Sequence, residues 1–91
     1  VEIVFKTGAI DDIQMWNKSG NKIIQNRISA LLDSISTTPE SGIGKPERLK
    51  ASLNGYWSRR ITKEHRLMYK IDYTTQTIEV FSLIGHYSKN L

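Results

Sequence analysis

Tyr56-Trp57-Ser58-Arg59-Arg60-Ile61-Thr62, then His65-Arg66-Leu67-Met68-Tyr69-Lys70-Ile71, then Thr77-Ile78-Glu79-Val80-Phe81-Ser82-Leu83-Ile84-Gly85-His86-Tyr87: these three runs decide the fold. They are rich in β-branched and aromatic residues. Short polar turns, Lys63-Glu64 and residues 72–76, separate them, so they predict three consecutive antiparallel strands. The third is apolar at nearly every position, as expected of a strand covered on both faces. Alternation along the first puts Ser58, Arg60 and Thr62 on one face, opposite Trp57, Arg59 and Ile61. In the second, Arg66, Met68 and Lys70 oppose Leu67, Tyr69 and Ile71. The face bearing Arg60, Arg66 and Lys70 is the one expected to meet solvent.

Toward the start of the chain, residues 1–6 read as a further strand ended by Thr7-Gly8. The period then changes. Ile10, Ile13 and Trp16 fall at helical spacing, with Asp11 and Asp12 expected in the first turn, where they would favour the helix dipole. A break at residues 17–21 contains Ser19-Gly20. The second helix carries the stripe Ile24, Ile28, Leu31 and Ile35, widened by Ile23 and Leu32, and Pro39 and Gly42 end it. Two helices joined by so short a break should form an antiparallel hairpin. Residues 37–45 read as a loop. Residues 46–54 admit two readings, a short helix opened by Pro46 or the arm of a hairpin turning at Asn54-Gly55. The sum is an α+β fold of order β-α-α-β-β-β. A helical hairpin packs on one face of a mainly antiparallel four-stranded sheet, in a single domain over residues 1–91.

Composition narrows the chemistry. There is no cysteine, which removes thiolate nucleophiles and sulfur-bound zinc. The two histidines, His65 and His86, match no metal spacing, so no metal or cofactor is expected. No serine-nucleophile motif and no glycine-rich phosphate loop is present. Residues 1–5 are too short and too charged for a secretory signal and residues 78–85 too short for a membrane span, which predicts a soluble cytoplasmic protein. A core of this size is modest, so association into a homodimer is also expected. The net charge is +4, and residues 45–70 hold eight of the thirteen cations against only two acids, so the rest of the chain is slightly acidic. Basicity concentrated in this way is the footprint of a polyanion partner. Arginine forks bind phosphates and tyrosine rings stack on bases, which suits RNA.

Three further residues invite a chemical reading. Glu47 lies among Lys45, Arg48 and Lys50 and follows Pro46, so it reads as a loop carboxylate and, alone, as a surface ion-pair partner. His86, at the end of the last apolar run, is a side chain able to exchange a proton near neutral pH. His65 shares a face with Leu67 and Tyr69, which suits a packing or orienting role.

Lys45-Pro46-Glu47-Arg48-Leu49-Lys50, Leu53-Asn54-Gly55-Tyr56-Trp57-Ser58-Arg59-Arg60-Ile61 and Glu64-His65-Arg66-Leu67-Met68-Tyr69 resemble the YoeB family of toxins in the RelE superfamily. The early Asp11-Asp12 with Trp16 and the late His86-Tyr87 are similar as well, so the resemblance spans almost the whole chain. It implies a toxin of a bacterial toxin–antitoxin pair, an mRNA interferase that cuts message in the ribosomal A site. It also implies inhibition by a cognate acidic antitoxin of the YefM/Phd kind. The family's general base falls on Glu47, its phosphate-binding arginine on Arg66, its general acid on His86 and its terminal tyrosine on Tyr87. Lys50 and Arg60 match its supporting cations. Gly85, where the family commonly has a larger residue, is expected to loosen the strand end, and residues 88–91 extend past the His-Tyr pair. Cleavage through the RNA's own 2′-hydroxyl needs a base, cations for the transition-state charge, and an acid for the departing oxygen, which this set supplies. Two other readings use the same cationic face: a non-catalytic RNA- or ribosome-binding domain, and an interaction protein that docks an acidic peptide.

Overall fold

The computed structural model describes residues 1–85; His86, Tyr87 and residues 88–91 lie outside the described residues. The sheet has five strands rather than the expected four, in the order β1-β5-β4-β3-β2. Strand β1 (Glu2–Phe5) runs parallel to β5 (Thr77–Ser82), and the remaining pairs are antiparallel. The additional strand is β2 (Glu47–Arg48), which pairs with β3 (Tyr56–Arg60) through Glu47↔Ser58 and Arg48↔Trp57. A 3₁₀ turn (Ala51–Leu53) joins the two, so residues 46–54 combine a hairpin arm with one tight helical turn. Two residues of strand are too short to leave a pattern of alternation, which is why the sequence does not declare them.

Helix α1 (Thr7–Ser19) begins directly after β1. Lys6 N–H still donates to Val80 O at 2.9 Å, so the ladder ends and the helix starts within one residue. Asp11 and Asp12 therefore lie in the second turn, not the first, and gain little from the helix dipole. Gly8 is the reason that so early a start is possible. A β-carbon there would stand 3.1 Å from Phe81 O, and its absence lets the helix N-terminus close on β5. The buried stripe also begins at Ala9 rather than at Ile10. Ala9 and Trp16 are buried, Ile13 is partly buried, and Ile10 faces outward at 45% exposure, contrary to the expected Ile10-Ile13-Trp16 stripe.

The link to α2 (Lys22–Thr37) is built from hydrogen bonds. Asn21 caps the helix by accepting from Ile24 N–H at 3.1 Å, a contact worth about 1 kcal/mol. Gln25 reaches back to donate to Trp16 O at 2.8 Å. On α2, Ile24, Ile28, Leu31 and Ile35 are buried and Leu32 packs beside them, as the stripe predicts. Ile23 does not: at 83% exposure it lies on the far side of the helix. These helices meet the sheet face formed by Ile61, Leu67, Tyr69, Ile78, Val80 and Leu83, which is the core of the molecule. None of the described helices is long and apolar enough to cross a membrane.

Candidate active site on the open face of the sheet

Pairing carries the site across the sheet. Directly opposed residues share a face, so Glu47↔Ser58 and Ser58↔Met68 set Glu47, Ser58 and Met68 in one row across β2, β3 and β4 (Arg66–Asp72). One pleat further along the same face lies the pair Arg60↔Arg66. One pleat the other way lies Tyr56↔Lys70. Glu47 and Arg66 are nineteen positions apart in the chain, yet they stand on one face, two strands and one pleat apart. That is a backbone separation on the order of 12 Å, within the combined reach of a glutamate and an arginine side chain with a small group between them. Glu47 is in a strand, not on a loop as the sequence implied; its position is fixed by a ladder partner. Glu47 and Arg60 are exposed and Arg66 is half-buried. Lys50, also exposed, follows β2 at the entrance to the 3₁₀ turn. His86 and Tyr87, the remaining expected site residues, lie outside the described residues.

An aromatic group that the sequence did not single out flanks this row. Met68 pairs with Ser82 but Tyr69 pairs with Val80, so Phe81 is the extra residue of a β-bulge. Phe81 then meets Tyr56 edge to face, with centroids 5.1 Å apart, and Lys70 Nζ sits 4.4 Å from the Tyr56 ring centre. In an apolar run nothing distinguishes a bulged phenylalanine from a core one. The cluster offers a π-surface beside the cations, suited to a base next to its phosphate.

Arg59 belongs to the other face, although it adds to the positive charge of residues 45–70. It is fully buried, and all five of its N–H groups donate to neutral oxygens. Nε reaches Tyr69 Oη at 3.1 Å, Nη1 reaches Ser34 Oγ at 2.7 Å and Ile43 O at 3.1 Å, and Nη2 reaches Thr38 O at 2.7 Å and Ser41 O at 2.8 Å. Tyr69 in turn donates to Pro39 O at 2.7 Å. Gly42, at φ 112°, gives the loop room, because a side chain there would run into Ser34 Oγ. Burial pushes the Tyr69 phenol above its ordinary value of 10, against the hydrogen bond and charge of Arg59. Arg59 thus shapes residues 38–43. Arg60 N–H then holds Gly44 O at 2.7 Å, three residues before Glu47. The clue was available: Arg59 alternates with Trp57 and Ile61, which marks it as core-facing.

His65, expected to pack or to orient, makes both a ring contact and a hydrogen bond. Its ring meets Trp16 edge to face at 5.0 Å, and its Nδ1 accepts from Gly85 N–H at 2.9 Å. Gly85 O accepts from Arg66 N–H at 2.9 Å. Gly85, expected to loosen the strand end, is therefore held at both of its backbone polar groups. Its φ of 76° is the left-handed conformation that glycine adopts without strain. Among the described residues no group of three or more acidic or histidine side chains could hold a metal ion.

Residues 5–87 match the family model described as the YoeB-like toxin of bacterial type II toxin-antitoxin systems. The chain is 44% identical over 75 residues to toxin YoeB of Synechocystis sp., covering 82% of this chain and 85% of that one. Among solved structures it resembles the YoeB/ParE toxin from Agrobacterium tumefaciens, with a TM-score of 0.90 and 37% identity over 96% of this chain and 100% of that one. It also resembles YoeB from Staphylococcus aureus, solved as a dimer and in a heterotetrameric complex with the antitoxin YefM. There the TM-scores are 0.82 and 0.81, at 40% identity over 96% of this chain and 98% of each of those.

Proposed function

We propose that this chain, which belongs to the YoeB-like toxin family of bacterial type II toxin-antitoxin systems, is a metal-independent endoribonuclease that cuts mRNA on the ribosome. The observation that carries the reading is the row geometry. A carboxylate and two guanidinium groups, from separate strands, share the sheet face turned away from the helices, Glu47 and Arg60 exposed on it around the buried Ser58, with aromatic rings one pleat away.

On this reading Glu47 takes the proton of the ribose 2′-hydroxyl as its oxygen attacks the adjacent phosphorus. Arg66, with Arg60 opposite it, balances the charge that accumulates on the phosphate oxygens, and Lys50, at the other end of the β2–β3 hairpin, adds positive charge along the path of the RNA. The P–O5′ bond breaks, and His86 delivers a proton to the departing 5′-oxygen. The products are a 2′,3′-cyclic phosphate and a 5′-hydroxyl. Tyr87 contributes a ring to stack on a base or a hydroxyl to bind a phosphate. A carboxylate is a weak base near neutral pH, so the rate depends on how well the RNA is held. The ribosomal A site supplies that positioning.

The partners follow from the relatives. A YefM-like antitoxin, acidic and folding on contact, fits the cationic face, and the chain forms a homodimer of its own in the cytoplasm. The test is a translated message incubated with the protein. Wild type should cut it, and Glu47→Ala should abolish cutting while still binding ribosomes. Binding without cutting by the wild type would make this a ribosome-binding domain instead.

A further inference from the structure

Strand β5 stops at Ser82, and beyond it the backbone of residues 83–85 is held by one backbone contact, Arg66 N–H to Gly85 O at 2.9 Å, and by side chains from elsewhere. Leu83 N–H donates to Asp12 Oδ2 at 2.8 Å, and Trp16 Nε1 donates to Leu83 O at 2.9 Å. Gly85 N–H donates to His65 Nδ1 at 2.9 Å. The contacts are linked, because Trp16 packs its ring against the ring of His65. Asp12 and Trp16 come from α1, and His65 immediately precedes β4, so separate parts of the chain converge on three consecutive residues.

His65 holds the last of these. For Nδ1 to accept, the ring proton must sit on Nε2, and Thr62 Oγ1 accepts from His65 N–H at 3.1 Å to fix the backbone that carries the ring. Gly85 is also where the chain turns, at φ 76°. Without His65 the Gly85 amide loses its partner, the carbonyl bond to Arg66 N–H is the restraint left at this residue, and a glycine so loosely held has many other conformations open to it.

We propose that His65 is a positioning residue for RNA cleavage: by accepting the Gly85 amide it holds the residue that directly precedes His86-Tyr87 in the chain. The inference rests on the reading above, in which that pair acts on the RNA. It differs from a packing role in that it requires an acceptor at the place of Nδ1, not merely a ring of the right size. Errors of about 1 Å in the placement of reacting groups cost on the order of 100-fold in rate. A side chain one residue away, acting through the backbone, has that leverage.

The conservative pair His65→Asn and His65→Gln tests it. Asparagine places an amide oxygen near the position of Nδ1; glutamine reaches past it, toward the position of Nε2. Cleavage is measured at saturating ribosomes, ribosome binding separately, and Gly85 amide exchange in the isolated protein. His65→Gln should cut about 10- to 100-fold more slowly with binding nearly unchanged and a faster-exchanging Gly85 amide. His65→Asn should stay within about threefold of wild type in both rate and exchange. Equal rates for the two variants, or a wild-type rate in His65→Gln with Gly85 exchanging freely, would overturn the proposal. A wild-type protein that cuts no translated message defeats the endoribonuclease reading and a cleavage role for His65 with it. Gly85 exchange then reports separately whether His65 holds the chain.

Discussion

Arg59 and Arg60 are neighbours in the chain and belong to different regions of the molecule. Arg59 faces the helices, buried, with every donor spent on an oxygen of the protein itself. Arg60 faces outward, exposed, opposite Arg66 and one pleat from the row of Glu47. The same guanidinium is structural on one face and available for an external anion on the other. The pleat alone makes the difference. Cation content therefore locates a polyanion site only after the sheet has sorted the cations by face.

If the open face carries the chemistry and the buried face the stability, substitutions on the two should separate. The largest effect should come from the open face. Arg66→Ala and Glu47→Ala should each slow message cleavage by about 10²–10⁴-fold, while the melting temperature moves by only about 3 °C. A matching loss of stability would merge the two regions and break the comparison.

Arg59→Ala should do the reverse. It leaves carbonyls at residues 38, 41 and 43 without their donor and should cost about 3–5 kcal/mol in denaturant unfolding. Arg59→Lys should recover little, because an ammonium cannot reproduce a planar fork. Molecules that remain folded should still bind ribosomes. A stable Arg59→Ala protein would show that the loop holds itself.

Much of this division was legible beforehand. Period-two alternation sorted Arg59 from Arg60, and helical spacing found Ile24, Ile28, Leu31 and Ile35, because both signals depend on burial. The short, local features were not legible. Strand β2 spans two residues, and the helix start at Thr7 depends on the close approach of Gly8 to Phe81 O, a tertiary contact. The bulge at Phe81 leaves no mark in an apolar run. Of the candidate site, the family motifs supplied the residues. The register supplied what the motifs lack, namely that Glu47 sits in a ladder and shares a face with Arg66.

A smaller effect sharpens the buried side. Tyr69 is neutral in the fold, and burial raises its phenol above the unfolded value near 10. The unfolded chain loses this proton first, so its contribution is complete below about pH 10 and disappears as pH rises through the folded value. Thermal melts of wild type should therefore fall more steeply above pH 10 than those of Tyr69→Phe. Parallel alkaline limbs would assign the loss elsewhere. The smallest effect should come from Lys63→Ala, in the exposed turn between β3 and β4. A single screened surface charge should change cleavage by less than about threefold at physiological salt. A loss as large as that of Arg66→Ala would mean that bulk charge, not a placed guanidinium, carries the activity.

The most direct measurement is the chemistry of the cut ends. Message cleaved during translation by the wild-type protein should carry a 2′,3′-cyclic phosphate on one side and a 5′-hydroxyl on the other. Glu47→Ala should produce neither. Ends carrying a 5′-phosphate and a 3′-hydroxyl would mean that water, not the ribose hydroxyl, attacks the phosphorus, and would contradict the account.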